Sequence, residues 1–104
     1  MHDDEIGINE QMVKRLIHEQ FPQFNDLPLY RINSMGTVNA IYKLGEESYI
    51  RLPLSHQYEE SLHREMQVLP IIKNNVTLPV PEIISKGKPN NDYPLDWAIY
   101  KWVP

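Results

Sequence analysis

Two charges set into apolar patterns constrain this chain more than anything else in it. Ser48 to Leu52 reads as a short strand closed by Pro53, and Arg51 sits in it among Tyr49, Ile50 and Leu52. Downstream, Tyr58, Leu62, Met66, Leu69 and Ile72 recur at helical spacing. Stepping about 100° per residue from Tyr58 puts Glu65 at about −20°, between Ile72 at about −40° and Leu69 at about +20°. The carboxylate therefore points with the apolar stripe, toward whatever the helix covers. A charge there is costly unless it is paired, and Arg51 on the preceding strand is the nearest cation of the right kind. The plain alternative is that Glu65 lies at the stripe's edge and Arg51 on a solvent face. A strand arginine joined to a helix glutamate is also a common structural ion pair.

The rest of the chain supplies a setting for the pair. Ile8 to Phe21 reads as an amphipathic helix with Met12, Val13, Leu16, Ile17 and Phe21 on one side. Asn9 is its N-cap, Ile8 and Val13 form a hydrophobic staple, and Pro22 closes it. Leu29 to Ser34 and Val38 to Leu44 read as strands joined through Met35-Gly36-Thr37, and a turn at Gly45 leads into the strand carrying Arg51. The second helix runs from about Gln57 to Ile72, with Ser55 as its cap and Pro70 expected to kink it or end it early. Leu78-Pro79-Val80-Pro81 is an extended connector, because two prolines remove donors. Glu82 to Lys86 is a further strand, Gly87 to Asp92 a turn-rich loop, and Asp96 to Pro104 an aromatic, partly alternating strand. The order of elements predicts an α+β fold: a five-stranded antiparallel sheet with two helices packed on it.

Bulk properties narrow the classes. With 104 residues and 41% hydrophobic content the chain supports one domain with a single modest core. The net charge is −4 with both signs interspersed, so no basic stripe argues for nucleic acid. Without cysteine there are no disulfides or thiolate metal sites. No basic-then-apolar leader and no run of membrane-spanning length is present, so a soluble cytoplasmic protein without a membrane partner is the expectation. His2, His18, His56 and His63 do not fall at metal-ligand spacing, and the serines have no neighbouring base in a nucleophile motif. Asp3, Asp4, Asp26, Asp92 and Asp96 sit in turns or ends and read as solvated carboxylates. The sequence ends on Tyr100-Lys101-Trp102-Val103-Pro104, where two large aromatics would face solvent in a free domain. It reads as a fragment.

At this point a resemblance can be stated. Ser34 to Gly45, Tyr49-Ile50-Arg51-Leu52-Pro53, Glu65, Leu78-Pro79-Val80-Pro81-Glu82 and Trp97 to Pro104 resemble, in order and spacing, the amino-terminal lobe of aminoglycoside phosphotransferases and related small-molecule kinases. The likeness covers essentially the whole chain, residues 1–104, but only that lobe of the family. It implies a lobe that binds ATP or GTP, with Mg²⁺, and passes the γ-phosphoryl group to a hydroxyl of an antibiotic or other small molecule.

The resemblance also implies roles. Gly36, Thr37 and Asn39 would belong to the loop over the phosphates. One glycine is weak evidence for such a loop, and an ordinary hairpin turn is the bland account. Arg51 would contact the α- and β-phosphates where most of the family keeps lysine, with Glu65 as its helix partner. Tyr100 would border the base pocket, and the backbones of Lys101 and Val103 would meet the base edge. The family's catalytic aspartate and Mg²⁺ ligands belong to its second lobe, so the expectation is no catalytic residue and no metal ligand here, and no phosphate transfer by this chain alone. The competing class is a non-enzymatic α+β module that binds a partner, or a second copy of itself, through the aromatic last strand.

Overall fold

The computed structural model describes residues 6–32, 38–75 and 81–101. Helix α1 (Glu10–Gln20) leads through a short 3-10 turn (Pro22–Phe24) to strands β1 (Leu29–Ile32), β2 (Asn39–Leu44) and β3 (Ser48–Pro53). Helix α2 (His56–Asn75) crosses to β4 (Glu82–Gly87), and β5 (Trp97–Lys101) completes the sheet. The strand order is β1-β2-β3-β5-β4, and every neighbouring pair is antiparallel. The α+β expectation therefore holds, with five antiparallel strands and two helices. The last strand is inserted between β3 and β4.

Alternation sorts the side chains onto two faces. Ala40, Tyr42 and Leu44 of β2, Ile50 and Leu52 of β3, and Trp97 and Ile99 of β5 form one core with Met12, Val13, Leu16 and Ile17 of α1. Asn9 caps α1 as expected, its Oδ1 accepting the Met12 N–H at 2.9 Å. On the opposite face Leu62 of α2 packs with Ala98 and Tyr100 of β5, flanked by Tyr49, Met66, Leu69 and Ile83. Strand β5 is thus buried on both faces, and Trp97, Ala98, Ile99 and Tyr100 are all fully buried.

Several local expectations are corrected. Helix α2 passes through Pro70 and continues to Asn75. Proline forfeits one hydrogen bond to the carbonyl four residues back, but Pro70 is exposed and water can serve that carbonyl. Ser55 does not cap the helix: its buried Oγ has no hydrogen-bond partner. Ile72, placed on the apolar stripe, is exposed, and the stripe's contact with the sheet ends at Leu69. Tyr100 is not a solvent-facing aromatic, and β5 is not an edge available for strand addition. The edges are β1 and β4. Ser34, the Met35-Gly36-Thr37 turn, the Leu78-Pro79-Val80 connector, and Trp102 to Pro104 lie outside the described residues. Among the described residues no helix is long and apolar enough to cross a membrane.

The segment between β4 and β5 is built against α1. Asn90 Oδ1 accepts the N–H groups of Asp92 and Tyr93, each at 2.8 Å, which makes a side-chain-stabilised turn. Gln20 bonds both backbone groups of Lys88, and Arg15 pairs with Asp92 at 2.8 Å. Tyr93, fully buried, donates to the Pro53 carbonyl at 2.6 Å and ties this segment to the end of β3. Gly87 lies opposite Trp97, and a Cβ there would run into the indole ring.

Candidate functional site

The face that carries α2 is only partly covered by it. The helix packs on β3 and β4. Toward β2 and β1 the same face presents Asn39, Ile41 and Lys43, with Tyr30 exposed beyond them. Arg51 stands between these two zones, cross-strand from Ile41 on one side and from Ala98 on the other. Its position follows from strand parity: Ile50 and Leu52 face α1, so Arg51 and Tyr49 must face α2.

Arg51 Nη1 meets Glu65 Oε2 at 2.5 Å, and both side chains are about a quarter exposed, at 24% and 23%. The pair spans strand to helix as the two sequence patterns required. The Arg51 guanidinium lies 6.0 Å from the Tyr100 ring centroid, at the outer reach of a cation–π contact. Tyr100 stacks on Tyr49, with centroids 4.9 Å apart and planes within 10°.

Burial pushes the Tyr100 hydroxyl's ionisation up, and the Glu65 carboxylate adds to this while Arg51 opposes it. The Tyr100 oxygen is close enough to Glu65 for a side-chain hydrogen-bond contribution to its raised ionisation, though no partner sits at full hydrogen-bond geometry. Burial likewise raises Tyr49, reinforced by Glu65 and opposed by Arg51. Two neutral phenols, one cation and one carboxylate thus meet at one spot, and the Glu65 contact uses only part of the guanidinium's five-donor fork.

The other sequence-nominated residues divide. Asn39 is buried at the start of β2, opposite Pro53, on the same sheet face as Arg51 and one alternation beyond Ile41. Lys101 is exposed at the end of β5, between Ser48 and Glu82. Gly36, Thr37 and Val103 lie outside the described residues. Sequence reading passed over Lys43, which sits cross-strand from Tyr49 on this same face. The alternation of Asn39, Ile41 and Lys43 with Ala40, Tyr42 and Leu44 was the available signal. It also passed over Tyr49 as a ring partner for Tyr100. Nothing in the sequence pairs those two rings until β5 is known to lie beside β3.

The comparisons with known proteins agree with this architecture. The chain belongs to the APH phosphotransferase enzyme family, whose profile matches residues 30–104. Among solved structures it is similar to the GDP complex of wild-type aminoglycoside 2'-phosphotransferase-IIIa, at TM-score 0.82 and 23% identity over 93% of this chain and 31% of that one. A GDP and kanamycin complex of APH(2")-IIIa gives 0.80 and 22%, over 91% and 31%. The streptomycin-ATP ternary complex of APH(2")-IIa gives 0.61 and 15%, over 95% and 30%. At these identities the likeness is one of fold, that of the amino-terminal, kinase-like lobe. The chain spans about 30% of the length of the structure compared in the last case. No curated protein matches the chain.

Proposed function

We propose that residues 1–104 form the nucleotide-binding lobe of a phosphotransferase that moves the γ-phosphoryl group of ATP or GTP to a hydroxyl of an aminoglycoside or another small molecule. The observation that carries the reading is the Arg51–Glu65 pair, held beside Tyr100 at the margin of an incompletely covered sheet face. Membership of a phosphotransferase family and a fold shared with nucleotide complexes support it.

In this reading Arg51 grips the α- and β-phosphates with a planar fork, and Glu65 aims it. Phosphoryl transfer needs little covalent help from protein, so positioning and charge stabilisation are the lobe's contribution. Tyr100, with Tyr49 stacked on it, bounds the base, and the backbones of Lys101 and Val103 meet the base edge. Gly36, Thr37 and Asn39 lie over the phosphates.

An arginine held forward by a partner suits a phosphate chain, so these residues fit a nucleotide. Mg²⁺, when bound, supplies further neutralisation of the phosphate charge. Among the described residues the carboxylate at this spot, Glu65, is engaged by Arg51; the reading assigns the metal ligands and catalytic aspartate to a second, carboxy-terminal lobe. The same assignment makes this lobe inactive alone.

The test is Arg51→Ala in the intact protein. The expected result is a loss of kcat/KM of at least about a hundredfold with the fold retained, the scale reached when a positioned charge-stabilising group is removed. Full activity in a folded Arg51→Ala protein would end the reading.

A further inference from the structure

A second constellation, at the start of α2 and the approach to β5, has no part in that function. At the start of α2, Glu59 and His63 are one turn apart, and Asp96 immediately precedes β5. One ligand atom from each lies within 4.8 Å of the other two. His63 Nε2 is 2.8 Å from Asp96 Oδ2 and 3.9 Å from Glu59 Oε2. Glu59 is the unusual member: its side chain is nine-tenths buried, and its Oε2 is turned into the cluster. Its Oε2 accepts the Asp96 backbone N–H at 2.6 Å, and its Oε1 lies 3.1 Å from Nδ1 of His56. Two carboxylates side by side, one of them buried, favour a cation between them. A divalent ion there would be met by one ligand atom from each of the three side chains.

We propose that Glu59, His63 and Asp96 form a binding site for a divalent transition-metal ion of the zinc class. Imidazole and carboxylate donors at this spacing suit such an ion, and a nitrogen donor disfavours Mg²⁺ and Ca²⁺. Two ligands come from α2 and one from the approach to β5, so the ion joins the helix to the central strand. Glu65 lies on the same helix as the two α2 ligands, and metal binding there steadies the element that aims Arg51. The Asp96 N–H bond to Glu59 already orients the buried carboxylate, as outer hydrogen bonds do at established sites.

The experiment is a Zn²⁺ titration of the metal-free chain by calorimetry, repeated with Co²⁺ for its ligand-field spectrum. The expected result is one ion per chain and a raised Tm with metal. His63→Gln and Asp96→Asn should each weaken binding at least about tenfold. Both residues are surface-accessible, so melts in chelator should match wild type, whereas Glu59→Gln is open to misfolding and is not needed. His18→Gln, on the other helix, should change nothing, and excess Mg²⁺ should not displace the ion. The proposal fails if the wild type binds Zn²⁺ no more tightly than the His63→Gln/Asp96→Asn double variant, because the cluster is then a salt bridge and nothing more.

Discussion

At the scale of single residues, the account turns on charges and hydroxyls whose partners are known. Removing Glu65 leaves the Arg51 guanidinium three-quarters buried beside two aromatic rings. Between the limits for exposed and buried pairs, Glu65→Ala should cost about 1–3 kcal/mol in thermal or denaturant unfolding. It should also weaken nucleotide binding, by misdirecting Arg51. Tyr100→Phe works in the opposite sense. It deletes a buried hydroxyl that has no hydrogen-bond partner, so stability at neutral pH should be unchanged or rise by up to about 1 kcal/mol. Tyr93→Phe breaks the 2.6 Å bond to Pro53 and leaves that carbonyl unpaired, at a cost of about 1–2 kcal/mol. A pair of similar substitutions with opposite signs is a sharp check on the two hydroxyl assignments.

At the scale of elements, Gly87 and Pro70 carry the clearest expectations. Gly87→Ala drives a methyl into the Trp97 indole across the β4–β5 ladder, and the overpacking should cost at least about 2 kcal/mol. A folded Gly87→Ala protein of wild-type Tm would contradict the register of these two strands. Pro70→Ala restores a hydrogen bond in the exposed interior of α2 and should raise helicity and stability by about 1–3 kcal/mol.

These two positions also show what the sequence could and could not reveal. Periodicity placed both helices and put Glu65 on the sheet side, because side-chain direction on a helix is set locally. Alternation gave the strands for the same reason. Pro70 misled because its local cost is outweighed by packing of Leu62, Met66 and Leu69 on the sheet, which no local rule registers. Strand order was not legible either. The placement of β5 between β3 and β4 is a long-range pairing, and with it went the Tyr49–Tyr100 stack and the Glu59–His63–Asp96 cluster. His63 and Asp96 are 33 residues apart, and no spacing rule connects them.

For the molecule as a whole, one core lies between α1 and the sheet, and a second, smaller one lies under α2. The first is continuous from Met12 to Trp97 and fixes the sheet's shape. The second leaves the β1–β2 half of its face to other use, and the candidate site lies at the margin between the two zones. Two buried phenols set the alkaline behaviour. The folded-state pKa values of Tyr93 and Tyr100 are raised, chiefly by burial. The fold therefore holds protons that the unfolded chain gives up above about pH 10, and stability must fall as pH climbs past that point. Unfolding free energy should be level with pH in the range just below it and decline above it. The decline should be shallower in Tyr100→Phe, and an equal slope in the variant would contradict the burial of that hydroxyl.

The measurement that bears most directly on the account is the affinity of the intact protein for a nucleoside diphosphate relative to the bare nucleoside, in wild type and in Arg51→Ala. If Arg51 is the phosphate grip, the wild type prefers ADP or GDP over adenosine or guanosine. The substitution should then remove most of that preference and leave nucleoside binding intact. If the diphosphate preference survives Arg51→Ala undiminished in a folded protein, the Arg51–Glu65 pair is only an ion pair, and the phosphates are held elsewhere.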